Sequence, residues 1–348
     1  MTRLTIAIPN YNGGKNLKRA IISCRNITIP IQEYEIIVVD NCSTDNSLNI
    51  VNELKNEFPN LIFLQNKENV GRIQNWNVCI EKSKGEFLIF LFSNDEINQH
   101  NNIHECLEIL DKNDSISIGF SSLLKKEIEN SYIKKSFSNE IIQCQSKCFT
   151  KECLNRGLLP FGPIQSIIYR LDDIKNDQNK FLTDMPINAD EIFTYKEACK
   201  RDRILFNPNP QITWDLTQGR FHGQMKIEDE FKEHSETIKI ISKLIGIEVD
   251  YSLVSTYRAI NLLKFSTGNL KNSGKKEATK HLLSKMKESK SFFNTDKILF
   301  KTFLKKVKNS KVDADDILYS EIINKLDNKF TSQVLHIKKK KSKKFNFY

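Results

Sequence analysis

The sequence predicts an α/β protein in which a mostly parallel sheet is flanked by helices and followed by a helical carboxyl-terminal region. Three observations predict it. Short β-rich apolar runs alternate with segments whose apolar residues recur every three or four positions. The alternation repeats in steps of roughly 30 residues, the length of a strand, helix, strand crossover. From about residue 225 the strands thin out and Lys-rich helical periodicity takes over.

Leu4 to Ile8 is the first strand, and Leu17, Ala20, Ile21, Cys24 and Ile27 mark one face of the helix after it. Glu35 to Val39 is a nearly continuous apolar strand ending at Asp40. Ser43-Thr44-Asp45 then offers capping side chains to a helix carrying Leu48, Val51, Leu54 and Phe58. Leu61 to Leu64 is a strand, Ile73 to Ile80 lies in a helix, Phe87 to Phe92 is a strand, and Ile103, Leu107 and Leu110 line another helix. Strands this uniformly apolar are covered on both faces, and such sheets bind ligands beyond the carboxyl ends of their strands. Pro9-Asn10-Tyr11-Asn12, Asp40-Asn41-Cys42-Ser43 and Ser93-Asn94-Asp95 should therefore converge at one edge.

The 348 residues, 39% hydrophobic and 28% charged, suffice for a substantial core. The most apolar run, Phe87 to Phe92, is far short of the roughly 20 residues that cross a bilayer. The amino terminus enters the first strand without the pattern of a secretory signal, so a cytoplasmic protein is expected. The eight cysteines fall mostly in regular elements and are expected as reduced thiols; Cys144, Cys148 and Cys153 lack the paired spacing of a zinc ribbon. The net charge of +10 is concentrated at one end, because Lys338, Lys339, Lys340, Lys341, Lys343 and Lys344 leave a body of only about +4 when removed. Nucleic-acid binding would need a basic patch on the body and is not expected.

The turn after the first strand, Pro9-Asn10-Tyr11-Asn12-Gly13-Gly14-Lys15, lacks the G-x-G-x-x-G of a dinucleotide site. Gly14-Lys15-Asn16 and Gly274-Lys275-Lys276 lack the remainder of a P-loop. Four segments instead resemble the inverting glycosyltransferases of family 2: Ile8 to Asn12, Ile36 to Asp45, Asn69-Val70-Gly71 leading to Asn75 and Asn77, and Gly85 through Asp95. Their order and their placement at strand ends carry the resemblance, which covers roughly residues 1 to 225. It implies the GT-A fold, a Rossmann-like sheet, and transfer of a sugar from a nucleotide donor, expected to be UDP-linked.

The resemblance assigns roles residue by residue. Asp40 matches the aspartate that accepts hydrogen bonds from uracil and ribose, and Pro9 and Tyr11 match the loop around the base, where an aromatic ring can stack. Asn12, Asn69 and Arg72 complete the donor-binding set, with Asn94 at a position contacting ribose. Phe92-Ser93-Asn94-Asp95 departs from the family's acidic cluster, so Asp95 is the sole carboxylate matching the ligand of a Mn2+ or Mg2+ ion. Direct displacement needs a carboxylate base, and Asp190, with Glu191 as the alternative, matches it at the start of a helix whose Ile192, Phe193 and Ala198 face inward. Gly162 and Ser166 resemble the segment approaching the acceptor. Arg220 and His222 resemble the R-x-H-x-G tail that meets the diphosphate, His222 also being a candidate metal ligand.

Residues 1–225 are thus expected to form the catalytic domain, 226–336 a helical region and 337–348 a basic tail ending in Phe345, Phe347 and Tyr348. Such a tail suits an anionic membrane surface, and a lipid-linked saccharide or growing cell-surface glycan as acceptor would give peripheral attachment at the inner face a purpose. The loss of two carboxylates at Phe92 and Asn94 leaves a second expectation open: a degenerate member that binds nucleotide sugar or glycan without turnover.

Overall fold

The computed structural model describes residues 2–126, 131–134, 140–155, 161, 163–178, 180–215, 227–249 and 335–336. Gly162, Arg220, His222, the helical segments expected between 253 and 307, and the tail at 337–348 lie outside the described residues.

The first half alternates as the periodicity predicts: β1 (Leu4–Asn10), α1 (Gly14–Ser23), β2 (Tyr34–Asp40), α2 (Ser47–Leu54), β3 (Leu61–Gln65), α3 (Arg72–Lys82) and β4 (Phe87–Phe90). After the short β5 (Glu96–Ile97) come α4 (Ile103–Asp111), β6 (Ile116–Ser121), β7 (Leu123–Lys126), β8 (Ser131–Lys134), β9 (Ile142–Gln145) and α5 (Ser146–Asn155). The remainder comprises β10 (Ile167–Arg170), α6 (Leu171–Asn176), α7 (Ala189–Ala198), β11 (Arg203–Asn207), β12 (Ile212–Asp215), α8 (Ile227–Ile245) and β13 (Leu335–His336).

The main sheet has the order β13-β9-β11-β6-β10-β4-β1-β2-β3. β4, β1, β2 and β3 pair in parallel, as do β6 and β11, while β10 and β9 run against their neighbours. A second sheet, β5-β12-β7-β8, gathers the segments that follow β4 and β6.

Alternation along the strands splits the core in two. Ile6, Ile8, Ile36 and Val38 join Leu17 and Ile21 of α1, Val51 and Leu54 of α2 and Leu107 of α4. Ala7, Ile37 and Val39 join Trp76 of α3, Phe149 of α5 and Phe193 of α7 on the other face. β1 and β2 are buried at every position, which is why their sequences read as nearly continuous apolar runs, Thr5 and Glu35 near their starts hydrogen-bonding to each other. β3, at the edge, is only partly buried. α8 begins just after residue 225, where the sequence reading starts the helical region, yet its Ile241 is wholly buried in the same cluster as Phe193 and Tyr195.

Candidate active site

Three of the strands end in a polar side chain, and the register sets those side chains in one row. Asn10 of β1 lies opposite Asp40 of β2, and Asp40 lies opposite Gln65 of β3. Asn10 Nδ2 donates to Asp40 Oδ1 at 2.7 Å and Gln65 Nε2 donates to Oδ2 at 3.0 Å. The chain then turns back on Asp40: Ser43 Oγ donates to Oδ1 at 2.5 Å and Ser43 N to Oδ2 at 2.9 Å. A carboxylate has about four acceptor positions, and these four protein donors match them. Asp40 is buried, so any ligand would reach it only by taking the place of one donor or by bonding to the groups it orders.

Around that row the loops are stitched together. Asn12, at φ 52°, accepts from Thr44 N through Oδ1 at 2.8 Å, and its own N–H donates to Ser43 Oγ at 2.8 Å. Asn41 Nδ2 donates to Asn69 Oδ1 at 2.8 Å, and Asn41 Oδ1 accepts from Val70 N and from Asn66 Nδ2. Asn66 also donates to Asn75 Oδ1, and Asn75 reaches back to the Val39 carbonyl. Gly71, at φ 85° and ψ 160°, occupies backbone that side chains rarely adopt, and it delivers Arg72 as the first residue of α3. Pro9 is buried in β1, whereas Tyr11 stands half exposed just beyond it.

The loop after β4 comes beside the loop after β1, since a Cβ on Gly13 would lie 2.2 Å from Asn10 Oδ1 and 3.2 Å from Ser93 Cβ. Phe92 packs on Trp76 with ring centroids 5.4 Å apart, which is a buttressing role for the position where the family pattern has an acid. Asn94 Nδ2 donates to the Asp215 carbonyl at 3.2 Å. Asp95 has no exposed surface. Its Oδ1 accepts from Asp215 N and its Oδ2 from Gln165 Nε2, each at 3.0 Å. Burial pushes its carboxyl up to about 8, the nearby Asp215 carboxylate adding to the rise and Arg19 opposing it. Arg19 fastens this corner: it donates to the Asn94 carbonyl at 2.8 Å and pairs with the buried Asp215 at 2.7 Å.

Among the described residues no three His, Cys, Asp or Glu side chains converge as a metal cage would require. Each Asp95 oxygen is engaged once and keeps one acceptor position. That donor set fits a divalent cation held chiefly by a donor's phosphates, and does not fit one held by the protein alone.

Asp190 and Glu191 open α7. Asp190 is partly exposed and accepts from Glu191 N at 3.0 Å, an arrangement that also complements the helix dipole, whereas Glu191 is buried. Arg72 links this helix to the loop after β3: it stacks over Trp76 at 4.9 Å, donates to the Pro186 carbonyl and lies within electrostatic reach of Asp190 and Glu233. Ser166 is buried, its hydroxyl donating to the Pro163 carbonyl at 2.9 Å. Trp214 packs against the core cluster on the α1 face. All eight cysteines are free thiols.

The structure thus brings Pro9, Tyr11, Asn12, Asp40 and Asn69 into one loop cluster, and Arg72 together with Asp190. Sequence reasoning passed over Gln65, Gln165, Asp215 and Arg19. Gln65 had a legible signal, since it closes an apolar strand with a polar side chain as Asn10 and Asp40 do.

Residues 5–171 match the family model described as Glycosyl transferase family 2. The poly(ribitol-phosphate) beta-N-acetylglucosaminyltransferase TarS of Staphylococcus aureus is 27% identical over 207 residues, which make up 59% of this chain and 34% of that protein. The alignment thus spans about a third of the relative's length. The crystal structure of S. aureus TarS 1–349 with UDP-GlcNAc superposes with a TM-score of 0.60 at 19% identity, covering 94% of this chain and 92% of the other. The mannosyltransferase PcManGT of Pyrobaculum calidifontis, in complex with GDP-Man and Mn2+, superposes at 0.51 and 13% identity, covering 94% and 87%. Residues 5–171 thus carry the match to glycosyl transferase family 2, within a chain that shares the GT-A fold of TarS.

Proposed function

We propose that the chain is an inverting glycosyltransferase that moves a hexosyl or N-acetylhexosaminyl group from a UDP-linked donor to a hydroxyl of a cell-surface polymer or lipid-linked saccharide. The observation that carries this reading is the row Asn10, Asp40, Gln65 at the carboxyl ends of the parallel strands, where such sheets bind ligands, with Asp190 within electrostatic reach of Arg72 at the start of the helix that follows β3. The likeness to TarS, named for N-acetylglucosaminyl transfer and solved with UDP-GlcNAc, supports the donor.

The Asp40 loop would seat the uridine, and Tyr11 would stack on the base. Asp190 would take the proton of the acceptor hydroxyl as its oxygen bonds to the anomeric carbon and the bond to the diphosphate breaks, inverting the centre and releasing UDP. Asp95 would help to hold a Mn2+ or Mg2+ ion, which would supply positive charge for the leaving diphosphate. Arg220 and His222 would add to that charge, and the lysine-rich tail would hold the enzyme at the inner face of the membrane. No described helix is long and apolar enough to cross a bilayer.

The burial of Asp95 and the packing of Phe92 on Trp76 favour a second reading, a nucleotide-sugar binder without turnover. NMR of the reaction with UDP-GlcNAc, manganese and a poly(ribitol phosphate) acceptor decides between them. A β-linked product from the α-linked donor supports the proposal; UDP-GlcNAc binding with neither transfer nor hydrolysis supports the second reading.

A further inference from the structure

We propose that Glu233 of α8 is a positioning residue for the reaction, holding by its carboxylate the backbone that carries Asp190; the proposal rests on the reading of Asp190 as the base. Glu233 Oε1 accepts from two consecutive backbone donors, Ile187 N at 2.7 Å and Asn188 N at 2.8 Å. These residues immediately precede α7, and Asp190 follows two positions later.

The first turn of a helix exposes N–H groups that its own ladder does not use, and a side chain at the preceding position usually caps them. α7 has no such cap: Asn188 makes no side-chain capping bond, and its buried Nδ2 has no hydrogen-bond partner. The order of this terminus comes from outside the helix. A carboxylate taking two N–H bonds makes the strong, charge-assisted kind. From the other side Arg72 donates to the carbonyl of Pro186. Residues 186–188 are therefore gripped between an arginine of α3 and a glutamate of α8, the arginine lying within electrostatic reach of both that glutamate and Asp190.

α8 is a firm support for this grip. Ile238 and Ile241 are buried, Ile241 within the core that α7 shares, and Thr237 Oγ1 donates to the Glu233 carbonyl at 2.8 Å. Both Glu233 and the helix it holds lie beyond residue 171, outside the segment that matches the family model. A base must meet the incoming hydroxyl in a narrow geometry, and a displacement of about 1 Å can cost about a hundredfold in rate.

The test compares E233A, E233Q and D190N in the full chain, measuring kcat and KM for UDP-GlcNAc and calorimetric affinity for UDP. E233A is expected to lose about 10- to 100-fold in kcat with UDP affinity within about twofold of wild type. E233Q, which keeps an oxygen for both N–H groups, is expected to recover kcat to within about fivefold. Unchanged kcat in E233A while D190N is inactive overturns the positioning role and leaves the base reading standing. E233Q as poor as E233A overturns the role of the oxygen. Full activity in D190N overturns the base reading itself, and the Glu233 proposal with it. Should E233A fail to bind UDP through misfolding, E233Q alone still decides, since the proposal requires it to fold and to work.

Discussion

Adding one methyl group at Gly13 tests the row of Asn10, Asp40 and Gln65 without changing the chemistry of any of its side chains. Gly13 has φ −78° and ψ −23°, ordinary backbone for any residue, so Gly13→Ala brings no conformational strain. The new Cβ would sit 2.2 Å from Asn10 Oδ1, far inside contact distance, and Asn10 would have to move. Asn10 has little room to do so: it is buried, and its Nδ2 makes the 2.7 Å bond to Asp40. A hydrogen bond to a charged group contributes about 1.5–3 kcal/mol, so losing it should weaken UDP binding by about 10- to 150-fold. Isothermal titration calorimetry measures this directly. The same substitution in an Asn10→Ala background meets no side chain at Oδ1, so the two changes together should cost no more than Asn10→Ala alone, within about 0.5 kcal/mol. Wild-type affinity in Gly13→Ala, or strict additivity in the cycle, would refute the reasoning.

Three other perturbations follow from the same contacts. With a carboxyl raised from 3.8 to about 8, the folded chain holds a proton on Asp95 that the unfolded chain has released, so this group's contribution to stability is full below pH 4 and is lost as pH rises toward 8. Thermal melts in chelator should therefore show Asp95→Asn losing less stability than wild type between pH 5 and pH 8; parallel slopes would contradict it. Arg19→Ala removes the guanidinium paired with the buried Asp215 carboxylate and should cost about 2 kcal/mol in urea unfolding, allowing for the partly exposed guanidinium. Burial raises the thiols of Cys24 and Cys79, and Cys106 to about 12, so at pH 7.5 these three should resist alkylation while the partly exposed Cys42 reacts, as peptide mapping would show.

The strands that build this edge were legible because both of their faces are covered: apart from Thr5 and Glu35 near their starts, which hydrogen-bond to each other, β1 and β2 stay apolar until Asn10 and Asp40 mark where the sheet ends. The same logic reached Asp95, whereas α7 was read from its apolar positions and from the family resemblance. What escaped it depends on distances along the chain too long for any periodicity to report. Arg19 meets Asp215 across 196 positions, and Asp95 meets the Asp215 backbone across 120. Gln65 was readable as a strand end, but that its amide would meet Asp40 depends on the register of β2 on β3. The apolar face of α8 was visible as a helix, while its membership of the main core needed the fold, because an amphipathic pattern does not name the surface it covers.

The claim at the centre of this account is that Asp190 is the base of a UDP-sugar transferase whose nucleotide loop is organised separately around Asp40. Asp190→Asn, assayed for N-acetylglucosamine transfer from UDP-GlcNAc and for UDP affinity, tests both halves together. The account predicts a loss of about a hundredfold or more in kcat with UDP affinity unchanged within about twofold. Transfer at the wild-type rate by Asp190→Asn would contradict it.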